Sequence, residues 1–227
     1  MSHNLCVIPA RGGSKRIPRK NVKEFCGWPI INYPTNQVIA SNLFSNNIIV
    51  SSDDREILSF ARHYNLNTFR RSEKTASDTA TLTEVINEVI DYLKTTSELP
   101  DCICCILPTA VFVTKEDLIN SYKLLSGNDS VVSVVKYNHP IERAFGINTD
   151  GQLTMMWPKY EFSRTQDLLP SYHDAGQFYW LNVESFIKQQ KIFMDKSAGY
   201  QIDAIDIDNE GDWQLAELKY KLKKGLT

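Results

Sequence analysis

Arg11, Lys15, Arg16, Arg19 and Lys20 put five cations within ten residues of a chain whose net charge is −2. Gly12, Gly13 and Ser14 stand among them, just after a short apolar run. Glycines let backbone N–H groups approach an anion closely, a serine adds a hydroxyl, and the cations balance charge. The stretch matches neither the Walker pattern nor the dinucleotide fingerprint. A solvated basic loop would explain the charge, but not the glycines at the end of a buried strand. A triphosphate is the ligand this chemistry suits. Far along the chain, Asp206 and Asp208 alternate with Ile205 and Ile207. In a strand-like run both carboxylates leave one face and both isoleucines the other. Two like charges about 4 Å apart cost on the order of 4 kcal/mol at an effective dielectric near 20. Mg2+, which takes one or two carboxylates plus phosphate oxygens, removes that cost.

The elements that must hold these groups alternate. Residues 5–9, 48–51, 102–107 and 131–135 are short, β-rich and almost wholly apolar, as strands covered on both faces of a parallel sheet are. Leu82, Val85, Ile86, Val89, Ile90 and Leu93 recur at helical spacing after cap candidates Asp78 and Thr79. A second helix is predicted to open on the capping box Thr114-x-x-Asp117, and a last one to cover 212–224 and stop at Gly225. Alternating strands and helices predict an α/β fold, a three-layer αβα sandwich on a mostly parallel sheet. Its ligands are expected beyond the carboxyl ends of the strands. Residues 136–172 break the rhythm with Pro140, Pro158, Pro170 and the turn Thr149-Asp150-Gly151; they read as an inserted lobe in a single domain spanning 1–227.

At 227 residues the chain buries enough surface to fold without disulfides. Its pI near 6.1 argues against general nucleic-acid binding. No apolar stretch approaches the length of a membrane span, and Arg11 interrupts the first apolar run too early for a signal peptide. Cys6, Cys26, Cys102, Cys104 and Cys105 are odd in number and lack the second ligand pair of a zinc site. Reduced cytoplasmic thiols are expected.

The pattern Ala10-Arg11-x-Gly13-Ser14-Lys15…Lys20-Asn21 resembles the signature of the acylneuraminate cytidylyltransferases, the CMP-sialic acid synthetases. The resemblance continues through residues 49–53, through Arg71 with Ala76-Ser77-Asp78-Thr79-Ala80, and through Ile205-Asp206-Ile207-Asp208. It implies a Rossmann-like nucleotidyltransferase fold and transfer of CMP from CTP to a nine-carbon 2-keto acid sugar. It implies nucleotide contacts at Ala10, Arg11, Gly12, Gly13, Ser14, Lys15, Asn21, Arg71, Asp78 and Ala80. Lys15, Lys20, Asp206 and Asp208 are the implied catalytic groups, with magnesium on the two aspartates. The sugar is expected at Arg164, Asp167, His173, Gln177, Tyr179 and Phe193. Alternation along the strand sends Tyr179 to the pocket and Trp180 to the core. The 136–172 lobe resembles the family's dimerisation element and implies a homodimer.

The wording Tyr172-His173-Asp174-Ala175-Gly176 resembles the pseudaminic acid branch more than the sialic acid branch. The sialic acid enzymes carry a sugar-contacting Gln after the third strand, where this chain reads Leu107-Pro108-Thr109-Ala110. N-Acetylneuraminate and legionaminate remain alternative sugars. A nucleotide sensor without turnover is the alternative of another class, and the intact aspartate pair argues against it.

Overall fold

The structure, a computed structural model, describes residues 3–45, 47–96 and 99–226. Eleven strands and seven α-helices follow one another in these residues. The strands are β1 (Asn4–Pro9), β2 (Glu24–Phe25), β3 (Trp28–Pro29), β4 (Ile48–Ser52), β5 (Asn67–Arg70), β6 (Cys102–Ile106), β7 (Ser130–Lys136), β8 (Phe145–Ile147), β9 (Leu153–Met155), β10 (Tyr172–Asn182) and β11 (Ser197–Gln201). The helices are α1 (Asn32–Ser41), α2 (Arg55–His63), α3 (Glu73–Ala76), α4 (Leu82–Thr96), α5 (Lys115–Leu124), α6 (Val183–Gln189) and α7 (Glu210–Lys224).

Seven strands form one sheet in the order β11-β7-β10-β6-β1-β4-β5. All pairings are parallel except those of β10, which runs antiparallel to both β6 and β7. The exception has a topological cause. The chain leaves β7 at the carboxyl edge, makes the 137–171 lobe there, and must re-enter the sheet from the same edge.

Alternation along the strands divides the core in two. Cys6, Ile8, Cys104 and Ile106 pack with Val38 of α1, Ile57 and Ala61 of α2 and Leu118 of α5. Leu5, Val7, Ile103 and Cys105 point the other way, against Ile86, Val89, Ile90 and Leu93 of α4 and Phe186 of α6. The result is the expected three-layer αβα sandwich. A third cluster joins Ile17, Phe25, Ile30, Val111, Phe112 and Ile207 to Trp213 and Ala216 of α7. It fastens the segment carrying the aspartate pair to the end of the glycine loop.

The helix ends differ in part from expectation. The Thr114/Asp117 box is formed, and Gly225 ends α7 in the left-handed region at φ 65°. Asp78 and Thr79 do not cap α4. Thr81 does so, accepting from the Glu84 N–H at 3.2 Å while Glu84 accepts from the Thr81 N–H at 2.8 Å. Asp78 is engaged with the basic loop instead. The Ile205–Asp208 run is also not a strand, since β11 ends at Gln201. It has no regular secondary structure, and its Ile207 is buried in the third cluster. Within the lobe, β8 and β9 pair as a two-stranded ribbon. The 136–172 segment leaves Phe162, Leu169, Ile147 and Leu153 largely exposed.

Candidate active site

The ends of β1, β4, β5, β6, β7 and β11 share one edge of the sheet, as the parallel registers require. A cavity of roughly 360 Å3 opens there. Arg11, Ser14, Lys15, Arg16, Lys20 and Asn21 form one wall, and Arg71 and Ala80 join them. Leu82, Val85, Leu107, Pro108 and Tyr179 supply an apolar wall. It is a pocket for a ligand with an anionic end and a less polar body.

The loop is tied down at both ends of its run. The Gly12 N–H donates to Asp53 Oδ1 at 2.9 Å, and a side chain at position 12 would meet Asp54 Oδ2 at 2.7 Å. Asn21, nearly buried, donates from Nδ2 to the Arg11 carbonyl at 2.8 Å. Arg19 turns away to Asp54 and Glu56 and is absent from the cavity wall. Its guanidinium holds the Asp54 carboxyl below the ordinary carboxylate range. The cations that do face the cavity are held by carboxylates. Arg11 donates to Asp78 at 2.8 Å, and Lys15 pairs with the same side chain. Arg16 donates to Asp208 at 2.8 Å, while the Lys20 ammonium lies 3.7 Å from Asp208 and donates to the Ile207 carbonyl at 2.8 Å. Burial lowers the Lys20 pKa, against the pull of Asp208 and Asp206. Arg71 is buried. It donates from Nε to Ser51 Oγ at 2.9 Å, while its buried Nη2 has no partner among the described residues. Desolvation lowers it to about 10.

Asp206 and Asp208 differ in how they are held. Asp208 has its two cations, and its own N–H donates to Asp212 Oδ2 at 3.0 Å. Among the described residues Asp206 accepts no hydrogen bond and has no cation within ion-pairing distance. Desolvation, then Asp208, raises its pKa above the ordinary value, with Asp174 adding to the rise and Lys20 opposing it. No group of three or more Asp, Glu, His or Cys side chains arranged for a metal occurs among the described residues. A cation on the aspartate pair would need its remaining ligands from substrate oxygens or water, a donor set that suits Mg2+.

A family profile for cytidylyltransferases matches residues 5–215. The chain belongs to the cytidylyltransferase family. It is 36% identical to the pseudaminic acid cytidylyltransferase of Campylobacter jejuni subsp. jejuni serotype O:2 over 225 residues, covering 96% of this chain and 97% of that one. It is 28% identical to the CMP-N,N'-diacetyllegionaminic acid synthase of Legionella pneumophila subsp. pneumophila over 97% of each chain. Among solved structures, CMP:2-keto-3-deoxy-manno-octonic acid synthetase complexed with CTP superposes with a TM-score of 0.70 at 12% identity, covering 98% of this chain and 100% of that one. The 4-diphosphocytidyl-2C-methyl-D-erythritol synthase of Anaerococcus prevotii gives 0.64 at 14%, covering 97% and 99%. These two likenesses concern the fold.

In this cytidylyltransferase the expected nucleotide residues gather around one loop, whereas the expected sugar residues scatter. Tyr179 lines the cavity and donates to Asp174 Oδ2 at 2.7 Å, and Trp180 is buried with its Nε1 donating to Ser121 Oγ at 3.0 Å. Gln177 is fully buried, its Nε2 donating to the carbonyls of Ala175 and Gly176. It braces the strand and does not face the cavity, contrary to the expectation of a sugar contact. Phe193 is misplaced more plainly. It precedes β11, whose first residue Ser197 pairs with Ser130 at the start of β7. That is the amino edge of the sheet, the far side from the cavity. Arg164 and Asp167 are exposed in the lobe, outside the cavity wall. His173 is exposed, its Nδ1 2.8 Å from the Asp174 carbonyl and its ring 4.8 Å from that of Tyr137.

Sequence reasoning missed Val85, Leu82 and Thr109, which also line this cytidylyltransferase's pocket. Val85 carries no signal of its own, since it continues the apolar helix face. Asp53 was visible only as the residue after a strand, yet it anchors the loop.

Proposed function

We propose that this cytidylyltransferase transfers CMP from CTP to pseudaminic acid, a nine-carbon 2-keto acid sugar, and releases pyrophosphate. The observation that carries the reading is the cavity where a glycine-bearing cationic loop faces Leu107 and Tyr179. The near full-length 36% identity to a pseudaminic acid cytidylyltransferase supports the choice of sugar.

The anomeric hydroxyl oxygen of the sugar attacks the α-phosphorus, forming the new P–O bond as the bond to the β-phosphate breaks; pyrophosphate leaves and the hydroxyl proton passes to solvent. Both substrates are anions, so positioning and charge shielding carry most of the rate enhancement. Arg11, Ser14, Lys15 and Lys20 grip the triphosphate, with the backbone at Gly12 and Gly13 close to its oxygens. Asp78 holds Arg11 and Lys15 where phosphate oxygens would otherwise be their partners. Arg71, on the cavity wall and with a buried Nη2 that has no partner among the described residues, faces the nucleoside with Ala80 and Asn21. Asp206 and Asp208 would hold a divalent cation, because Asp206 is left without a compensating charge and Asp208 stands beside it. When bound, that ion neutralises charge on the α-phosphate. Leu107, standing on the apolar wall, removes a hydrogen-bonding partner from the sugar side. That disfavours N-acetylneuraminate.

The exposed apolar side chains of the lobe, with Phe162 at 93% exposure, support a homodimer formed through it. Free thiols at all five cysteines support a reducing, cytoplasmic setting. Among the described residues no helix is long and apolar enough to cross a membrane. Pyrophosphate release tests the chemistry. Turnover is expected with CTP and a divalent cation and to be far slower with ATP. Equal turnover of ATP and CTP, or full activity in excess EDTA, contradicts it.

A further inference from the structure

The longest departure from regular pairing in the main sheet lies beside the aspartate pair. Asp174 of β10 pairs with Val134 and Tyr179 with Val132, so residues 175–178 bulge opposite Ser133 alone. Several hydrogen bonds hold the bulge. Asp174 accepts from the Gly176 N–H at 3.0 Å and from the Tyr179 hydroxyl at 2.7 Å. Gln177 braces the inner turn, and Ser133 Oγ takes the Phe178 N–H at 3.0 Å. The Leu107 N–H, at the end of β6, donates to the Gln177 carbonyl at 2.8 Å. This frame holds Gly176 in the left-handed region, at φ 59°.

A methyl group placed on Gly176 would lie 3.3 Å from Cγ, 3.3 Å from Oδ1 and 3.3 Å from Oδ2 of Asp206. Equal distances to all three atoms place the flat face of the carboxylate against the glycine. Among the described residues nothing else holds that side chain: it has neither a hydrogen bond nor an ion pair. The Gly176 backbone is the neighbour that its face lies against.

We propose that Gly176 is the positioning residue for Asp206: the absent side chain is the space that lets this carboxylate lie beside Asp208 with its oxygens free for a cation. The inference rests on the reading of Asp206 as a metal ligand. It goes beyond it by assigning the placement to a β10 bulge that contributes no ligand itself. Groups that orient metal ligands typically change affinity 10–100-fold when altered.

Metal binding to the intact protein, read by Mn2+ electron paramagnetic resonance without nucleotide, tests it. Gly176→Ala is expected to weaken Mn2+ binding by about 10-fold or more. Its kcat is expected to fall alongside, with the KM for CTP within about threefold. The substitution also forces alanine into a left-handed conformation, a stability effect that needs its own control. Gly225, at φ 65° with nothing within 4 Å of an added methyl, supplies one. Gly225→Ala is expected to lose comparable thermal stability and keep wild-type Mn2+ affinity. Asp206→Ala separates the two ideas. If it binds Mn2+ like wild type, the reading of Asp206 falls and takes the inference with it. If Asp206→Ala loses binding while Gly176→Ala retains it, the inference alone is overturned.

Discussion

A cation's neighbours decide what it does in this loop. Arg19 and Lys15 carry the same charge four positions apart in one basic stretch. Yet Arg19 bridges Asp54 and Glu56 outside the cavity, and Lys15 lines it, paired to an exposed Asp78. The sequence shows five charges, and which of them face a ligand depends on carboxylates contributed from 35 to 192 positions away. The same holds for the aspartates. Their spacing of two places both on one side with Ile207 buried on the other, which is legible from alternation alone. That Asp208 is doubly paired and Asp206 bare is not legible, because Arg16, Lys20 and Gly176 reach them through the fold. Replacing Asp208 with Ala is expected to cut kcat by roughly 10²-fold or more, the scale of losing one electrostatic stabiliser of a transition state. Steady-state pyrophosphate release measures this. A variant within threefold of wild type would make the pair an ordinary solvated acid cluster. Gln177 and Phe193 show where a role carried over by likeness does not bring a side chain to the cavity of this chain. A glutamine in a strand beside the site is drawn inward by two carbonyls of a bulge that no local pattern announces.

Among the elements, those with strong periodicity were readable: four apolar strands, the α4 face and the boxes or stops at Thr114 and Gly225. The short edge elements were not. Strand β5 (Asn67–Arg70) has a mixed, exposed-to-intermediate pattern, and β11 (Ser197–Gln201) opens on three small residues, so neither carries a hydrophobic run. The antiparallel course of β10 follows from where the lobe returns the chain, a property of topology and not of any residue. Helix α2 carries an element-level prediction. Asp54 caps it, accepting from the N–H groups of Glu56 and Ile57, and is held below its ordinary pKa of 3.8, chiefly by Arg19. A carboxyl whose folded pKa is depressed stabilises above its unfolded value and loses that contribution as pH falls through the folded one. Asparagine caps about as well as aspartate, so Asp54→Asn isolates the charge. Thermal unfolding across pH 3–7 is expected to show the variant less stable at neutral pH. The gap should narrow once pH drops below 3.8. A gap that stays constant across that range would remove Arg19 from the loop's anchoring.

At the scale of the molecule, one edge of one sheet collects every group proposed for the chemistry, and the lobe rises from that same edge. If the lobe is the dimer contact, charging its most exposed apolar side chain separates the protomers. Phe162→Glu is expected to sediment at the monomer mass where wild type sediments as a dimer; equal masses for both would place the contact elsewhere. The αβα class was readable because buried parallel strands and amphipathic helices alternate along the chain. Sugar choice was readable only through likeness, since the apolar wall mixes Leu107 from a strand end with Val85 from a helix and Tyr179 from an antiparallel strand. An apolar Leu107 facing a group that seeks a hydrogen bond costs about 1–3 kcal/mol, or roughly a ten- to hundredfold preference. The decisive measurement is kcat/KM for pseudaminic acid and for N-acetylneuraminate at saturating CTP, with legionaminic acid as a third arm. Pseudaminic acid is predicted to lead by at least about tenfold; a higher kcat/KM for N-acetylneuraminate or legionaminic acid would contradict the proposed substrate.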